Sequence, residues 1–471
     1  MMNHKNPGYQ SLFWLSLLCV AYCRACGDSH VGVEITTDAG NAGGGSSGHA
    51  GRGGNAGHSN AGSSTAGHGN AGTSNNDSGL GGVDAGSLDA AVADADAGPD
   101  AAGPDGGVLP GVCPVDDGKC IFRNETFGDE QYWTDILGLQ EVVQALTPTA
   151  ALGVGLKVDA DAVPPDVLAA ADLTAPETTA ALLSLNAVVG VRATVENGQI
   201  MRIGITCALC HSTVDNSIAP GIGSRLDGWP NRDLDPGAII AMTPGVDAIA
   251  QKLGVATATA ISTLNSWGPG RYDARYNQDG ESFPVEIPPA YGLADVALET
   301  YTGEGPVTYW NNYVAVTQMG AQGSFHSDAL NLDIVAHPDL VGPRLPALRD
   351  YQFSLKPPPA PVGTFSAAAA VRGDALFAQY CESCHVEDTS FTDAPTLHDP
   401  TEVGTDTNEA RRSLTGKYRT TPIRGAWSHP PYFHDGSAET LRDLVIHYDA
   451  QFGLGLTGKE QQDLTEYLKS L

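Results

Sequence analysis

Two pentapeptides carry the chemistry most open to recognition, Cys207-Ala-Leu-Cys210-His211 and Cys381-Glu-Ser-Cys384-His385. Both fit C-x-x-C-H, the spacing at which two thiols reach the two vinyl groups of one porphyrin and the adjoining histidine lies beneath the iron. At this composition such a motif arises by chance about 0.005 times per chain, so two are not an accident. Zinc is the structural rival, but neither motif has the second C-x-x-C that a zinc site prefers. The expected cofactors are therefore two covalently bound haem c groups, with Cys207, Cys210, Cys381 and Cys384 as attachments. His211 and His385 are the expected iron ligands.

The opposite face of each iron decides between reaction and electron transfer, because an open position can bind an oxidant and a filled one cannot. Methionine is the usual sixth ligand of electron carriers, and none of the five methionines lies beyond Met319. The second site must therefore draw on His398, His429, His434, His447 or Tyr448. Thr440 with Asp443 forms a capping-box pattern that opens a helix. At 100° per residue Tyr448 falls about 20° from Leu441 on the apolar stripe, whereas His447 points about 120° away. Tyr448 is then either a core tyrosine or the ligand, and a methionine-free site favours the ligand.

The elements that must position these residues can be read in outline. "VRGDALFAQY" before Cys381 places Leu376, Phe377 and Tyr380 on one helical face. Before Cys207, Asn197-Gly198 between two alternating apolar runs predicts a β-hairpin, so the first motif is approached from a strand. Cys113 and Cys120 in "CPVDDGKC" are expected to form a small disulfide loop, with two free thiols as the alternative.

Ahead of this lies sequence of another kind. The run Leu12 to Tyr22 after His4 and Lys5 reads as a secretory signal within residues 1–26, and Cys26 is a candidate lipid-bearing cysteine. Residues 27–110 repeat Asn-Ala-Gly, contain no aromatic residue, and cannot bury enough apolar area to offset ordering, which predicts a disordered tether. His49, His58 and His68 within it read as solvated side chains. Of the net charge of −30, −9 falls in 27–110 and −23 in 111–471. That excludes nucleic-acid binding, leaves a lipid anchor as the only membrane association, and calls for a basic redox partner. Export to the periplasm or cell surface agrees with thioether attachment outside the cytoplasm.

"YRTTPIRGAWSHPPYFHDGSAETLRDLVIHYD" resembles the C-terminal domain of the bacterial di-haem cytochrome c peroxidase and MauG superfamily. The resemblance rests on Arg419, Pro422, Arg424, Pro431, Tyr432, Phe433, His434, Asp435, Gly436, Thr440, Leu441 and Val445. It covers roughly 361–471 well, and 111–360 thinly apart from the first motif. It implies a mainly α fold of two cytochrome c-like domains, 111–360 and 361–471, with long loops and a small β-hairpin. The position fourteen residues after the H-D-G histidine holds methionine in the peroxidases and tyrosine in MauG-type members, and here it is Tyr448. By the same resemblance Arg424 and His434 support the second haem, and a calcium ion lies between the domains.

The resemblance also places reaction at the first haem. No histidine occurs between His211 and His326, so the displaceable histidine of family peroxidases has no counterpart there. Met242, Met319 and His326 are the remaining donors. "TYWNNYVAVTQMGAQGSF" is the candidate counterpart of the family's catalytic stretch, with Trp310 as bridge and Gln318 or Gln322 as the distal amide. "LNSWGPGRYDARYNQDG" and "LKPPPAPVG" read as an added loop and a stiff connector. The implied activity is reduction of hydrogen peroxide at the first haem, with electrons relayed through the second. A di-haem oxygenase using O2, as in the rubber oxygenases, a MauG-like protein oxidase and a non-catalytic electron carrier are the alternatives.

Overall fold

The computed structural model describes residues 113–471, which belong to one compact unit. The expected signal, lipidation site and tether lie outside the described residues. The described chain is mainly helical, and its strands form two-stranded sheets, all antiparallel except the pairing of Val158–Asp159 with Ile222–Gly223.

The largest core runs from Cys113 to Leu348 and packs Phe122, Phe127, Leu183, Ile203, Leu234 and Tyr313 out of water. The predicted hairpin forms between Val191–Glu196 and Gln199–Ile205, with Glu196 opposite Gln199. Its turn residues Asn197 and Gly198 take φ of 49° and 78°, the left-handed pair that a two-residue turn of matching twist requires. The strand Gln199–Ile205 ends just before Cys207 and opens into the short helix Ala208–His211. Gly190 lets that helix close on the hairpin, since a Cβ there would stand 2.0 Å from the Leu209 backbone nitrogen. Cys113 and Cys120 are disulfide-bonded, as the spacing predicts.

A second core joins Phe377, Phe391, Tyr432, Leu441, Val445, Leu464, Tyr467 and Leu468. The helix Ala367–Tyr380 delivers the second motif and packs against Gly458–Ser470. The two approach so closely at Gly373 that a Cβ would fall 2.1 Å from the Asp463 carbonyl oxygen. Thr440 and Asp443 close the predicted capping box, and the helix runs Leu441–Phe452. The connector at 355–363 carries no helix or strand. It is nonetheless anchored, for the Pro358 carbonyl accepts from the Trp427 indole N–H at 3.0 Å.

Candidate functional site

Cys207, Cys210 and His211 line a cavity of about 280 Å³ whose walls are chiefly apolar, among them Leu139, Leu182, Leu209, Leu234 and Ile240. His211 Nδ1 lies 3.0 Å from the Pro288 carbonyl oxygen. A carbonyl only accepts, so Nδ1 carries the proton and Nε2 keeps its lone pair, the tautomer a metal-bound histidine uses. Burial pushes the imidazole down to about 4, so it is neutral at pH 7. Burial likewise pushes the Cys207 and Cys210 thiols up to about 12, and neither is in a disulfide.

The polar part of this cavity comes from the helix Val307–Val314, the π-helical turn Ala315–Met319 and the segment around Tyr272. Trp310 lines the cavity, and its indole N–H is buried without a partner among the described residues. Gln318 Oε1 accepts from the Tyr272 hydroxyl at 3.0 Å. Its Nε2 donates to Thr317 Oγ1 at 2.9 Å and to Asn277 Oδ1 at 3.2 Å. Burial holds the Tyr272 hydroxyl well above its usual range, which keeps it an O–H donor. Gln322 does not line the cavity; its amide donates to the Pro338 carbonyl at 3.0 Å. Of the three remaining donors only Met319 faces the cavity, while His326 is exposed beside Asp328 and Asp333. Tyr272 belongs to the stretch taken from sequence as an added loop, where nothing periodic marked it.

The second motif lines another cavity, of about 460 Å³, together with Tyr448, Arg424 and His434. His385 repeats the arrangement of His211, with Nδ1 3.0 Å from the Phe391 carbonyl oxygen. Ser390 and Phe391 hold φ near +60°, so a turn that these residue types rarely adopt presents that carbonyl. Tyr448 faces the cavity and makes no hydrogen bond among the described residues; burial beside Cys381 and Cys384 pushes its hydroxyl up to about 12. The protein alone therefore keeps it a phenol, and only a bound cation would ionise it.

The histidines sort by their partners. His398 lies between Asp393 and Glu402, at 3.0 and 3.2 Å. His434 Nε2 meets Asp406 at 2.9 Å and the Tyr418 hydroxyl at 3.1 Å, and Glu286 N donates to its carbonyl oxygen. Asp406, His434 and Asp435 are close enough to share an ion, but a histidine nitrogen is foreign to the oxygen set calcium takes. His447 turns away, with Nε2 3.3 Å from the Val403 carbonyl. His429 lines the cavity with Nδ1 buried and unpartnered, and burial next to Arg232 lowers it to about 3. The candidate ligand after Tyr448 is therefore His429, not His447. Arg424 lies over the Phe391 ring, 4.7 Å from its centroid.

Pro288, Pro289, Leu293, Thr300 and Tyr301 line both cavities. This shared wall, not Trp310, stands between them, since Trp310 faces only the first. It also supplies the carbonyl that orients His211. Tyr301 donates to the Glu286 carbonyl at 3.1 Å. Glu299 on the first cavity pairs with Arg419 on the second, Oε2 to Nη2, at 3.3 Å.

The chain matches no protein-family model and no curated protein. Among solved structures it is similar to hydrazine synthase from Kuenenia stuttgartiensis, studied under xenon pressure. The identity is 18%, the overlap covers 40% of this chain and 72% of that one, and the TM-score is 0.29. At that score the likeness supports no argument about fold or function.

Proposed function

We propose that the chain is an exported di-haem c-type oxidoreductase that reduces hydrogen peroxide at the first site with electrons relayed through the second. The observation that supports it is a repetition. At each of the two cavities a C-x-x-C-H motif faces apolar walls, its thiols are free, and its histidine Nδ1 is tied to a main-chain carbonyl so that Nε2 is available. The donor set and the buried, unpartnered Trp310 N–H and His429 Nδ1 on the cavity walls fit a bound porphyrin.

When bound, haem iron supplies one-electron redox chemistry and a site for a small oxidant. The chain's own residues do the rest. Cys207, Cys210, Cys381 and Cys384 would hold the groups through thioethers, with His211 and His385 as iron ligands. Tyr448 would serve as a further ligand at the second site. At the first, the Tyr272 hydroxyl, oriented by the Gln318 amide oxygen that accepts from it, would be the proton-transfer group that reduction of a peroxide to two waters requires. Trp310 offers a further N–H. The apolar walls exclude bulk water. A basic one-electron donor protein would meet the acidic surface.

The alternative favoured by an observation is a carrier, because the Met319 thioether faces the first cavity. The ferric holoprotein decides. Two haem c per chain in the alkaline pyridine assay, one high-spin EPR signal and loss of that signal on adding peroxide are expected. Two low-spin signals make it a carrier, and fewer than two haems overturns the proposal. Turnover with O2 in place of peroxide identifies an oxygenase.

A further inference from the structure

The shared wall holds a group that the peroxide chemistry above leaves unused. Glu299 lines the first cavity with its side chain only 7% exposed. One carboxylate oxygen faces Arg419 at 3.3 Å, and the other, Oε1, is buried without a partner among the described residues. Next to it, Thr300 Oγ1 is also buried and unpartnered, on a residue that lines both cavities. Thr300 holds φ of +58°, a conformation a β-branched residue rarely takes, so the wall fixes this pair of polar atoms at a backbone cost.

We propose that Glu299 takes up a proton when an electron arrives at the first haem site, coupling reduction there to proton uptake inside the protein. The inference rests on the di-haem reading. The step balances: a one-electron donor reduces the first site by one unit, and one proton from solvent converts the Glu299 carboxylate to the acid, leaving local charge unchanged. Burial raises the carboxyl to about 7 against the opposing pull of Arg419, so small changes in nearby charge shift it across neutral pH.

The other ionisable neighbours are already engaged. Arg419 faces Glu299 across the wall and also donates to the Leu298 carbonyl. Tyr301 follows on the same segment, bonded to the Glu286 carbonyl oxygen. Behind it the two Glu286 oxygens are held by Arg232 and Arg271, and His434 is held by Asp406. Among these groups Glu299 has the vacant oxygen.

The test is a potentiometric titration of the holoprotein, with dithionite and mediators, between about pH 5 and 9. Each haem is followed by its own optical bands, and haem content is counted in parallel. In the natural chain the first haem's potential is expected to fall with rising pH across the neutral range, approaching one proton per electron, and the second haem's to fall less. Glu299→Gln should flatten the first curve, while Glu299→Asp should keep the slope with a displaced midpoint. An unaltered slope in Glu299→Gln with two haems in place overturns the inference alone and leaves Glu409, the other raised carboxyl on this cavity, and the haem propionates as the proton acceptors. Fewer than two haems in the natural chain overturns the di-haem reading with it.

Discussion

Replacing Arg412 by alanine should destabilise the folded unit by about 3 kcal/mol, toward the lower end of the roughly 3–5 kcal/mol expected when one partner of a buried ion pair is removed. The Arg412 side chain is 3% exposed and that of Asp273 1%. Its guanidinium reaches Asp273 at 3.0 and 3.1 Å, Asp279 at 2.8 and 3.0 Å, and the Glu281 carbonyl at 3.1 Å. Asp279 is a third exposed, so its share is at most about 1 kcal/mol. Asp273 keeps the backbone N–H groups of Arg275, Tyr276 and Phe283 at 2.7–3.0 Å, which is why the lower end applies. At about 2.1 cal/mol/K per residue over roughly 360 folded residues, 3 kcal/mol lowers Tm by about 4 °C. Calorimetry of the holoprotein measures it, with Asp273→Asn and the double variant completing a cycle. The double variant should regain part of the loss, because the most deeply buried of the partner carboxylates, Asp273, is no longer left without its arginine. A single variant melting within about 1 °C of the natural chain, or a double variant that is worse than additive, refutes this account.

Tyr448→Phe should alter the spectrum of the second haem alone; an unchanged spectrum removes Tyr448 as ligand, and His429→Ala is then the variant to record. Tyr272→Phe removes the hydroxyl that donates to Gln318 and should slow the first-site reaction with peroxide by about 100-fold in stopped-flow mixing, at the low end for a lost proton-transfer group. An unchanged rate would leave the hydroxyl a packing feature. Replacing Cys113 and Cys120 by serine opens a loop of about eight residues, for which chain entropy gives roughly 2.5 kcal/mol, measurable as a lower denaturant midpoint with an unchanged slope.

What the sequence revealed was local. The Asn197-Gly198 hairpin, the Thr440 capping box and the Cys113–Cys120 loop each depend on residues within a few positions of one another, and each stands in the fold as spaced. The wheel argument also separated Tyr448 from His447, because a regular helix carries its period. Where the period broke, inference broke with it. Gln318 and Gln322 would share one face of an α-helix. Here a π-helical turn at Ala315–Met319 and Gly320 at φ of 79° end the helix between them, and only Gln318 reaches the cavity. Tyr272, Glu299 and Tyr301 had no signal to find, since Tyr272 lies in a two-residue strand, Glu299 in an isolated bridge and Tyr301 in a turn, all too short to carry a period.

Partners far along the chain bear on the division at residue 360. The helix Asn408–Arg412 lies in the second motif's segment, yet Glu409 lines the first cavity. Its carboxyl is pushed up to about 7 by burial, against the pull of Arg275 and Arg412. Arg412 from the same helix holds Asp273, the neighbour of Tyr272, while Arg419 reaches back to Glu299 and the Leu298 carbonyl. In the other direction, the 232–301 stretch gives the second cavity Arg232, Tyr291 and Tyr301. Each segment thus completes the other's cavity with buried charges, and a buried charge is costly unless its partner is present. Two segments with separate apolar cores but shared ionic walls have reason to stay in one geometry, and a fixed geometry is what the proposed passage of single electrons between two sites would require.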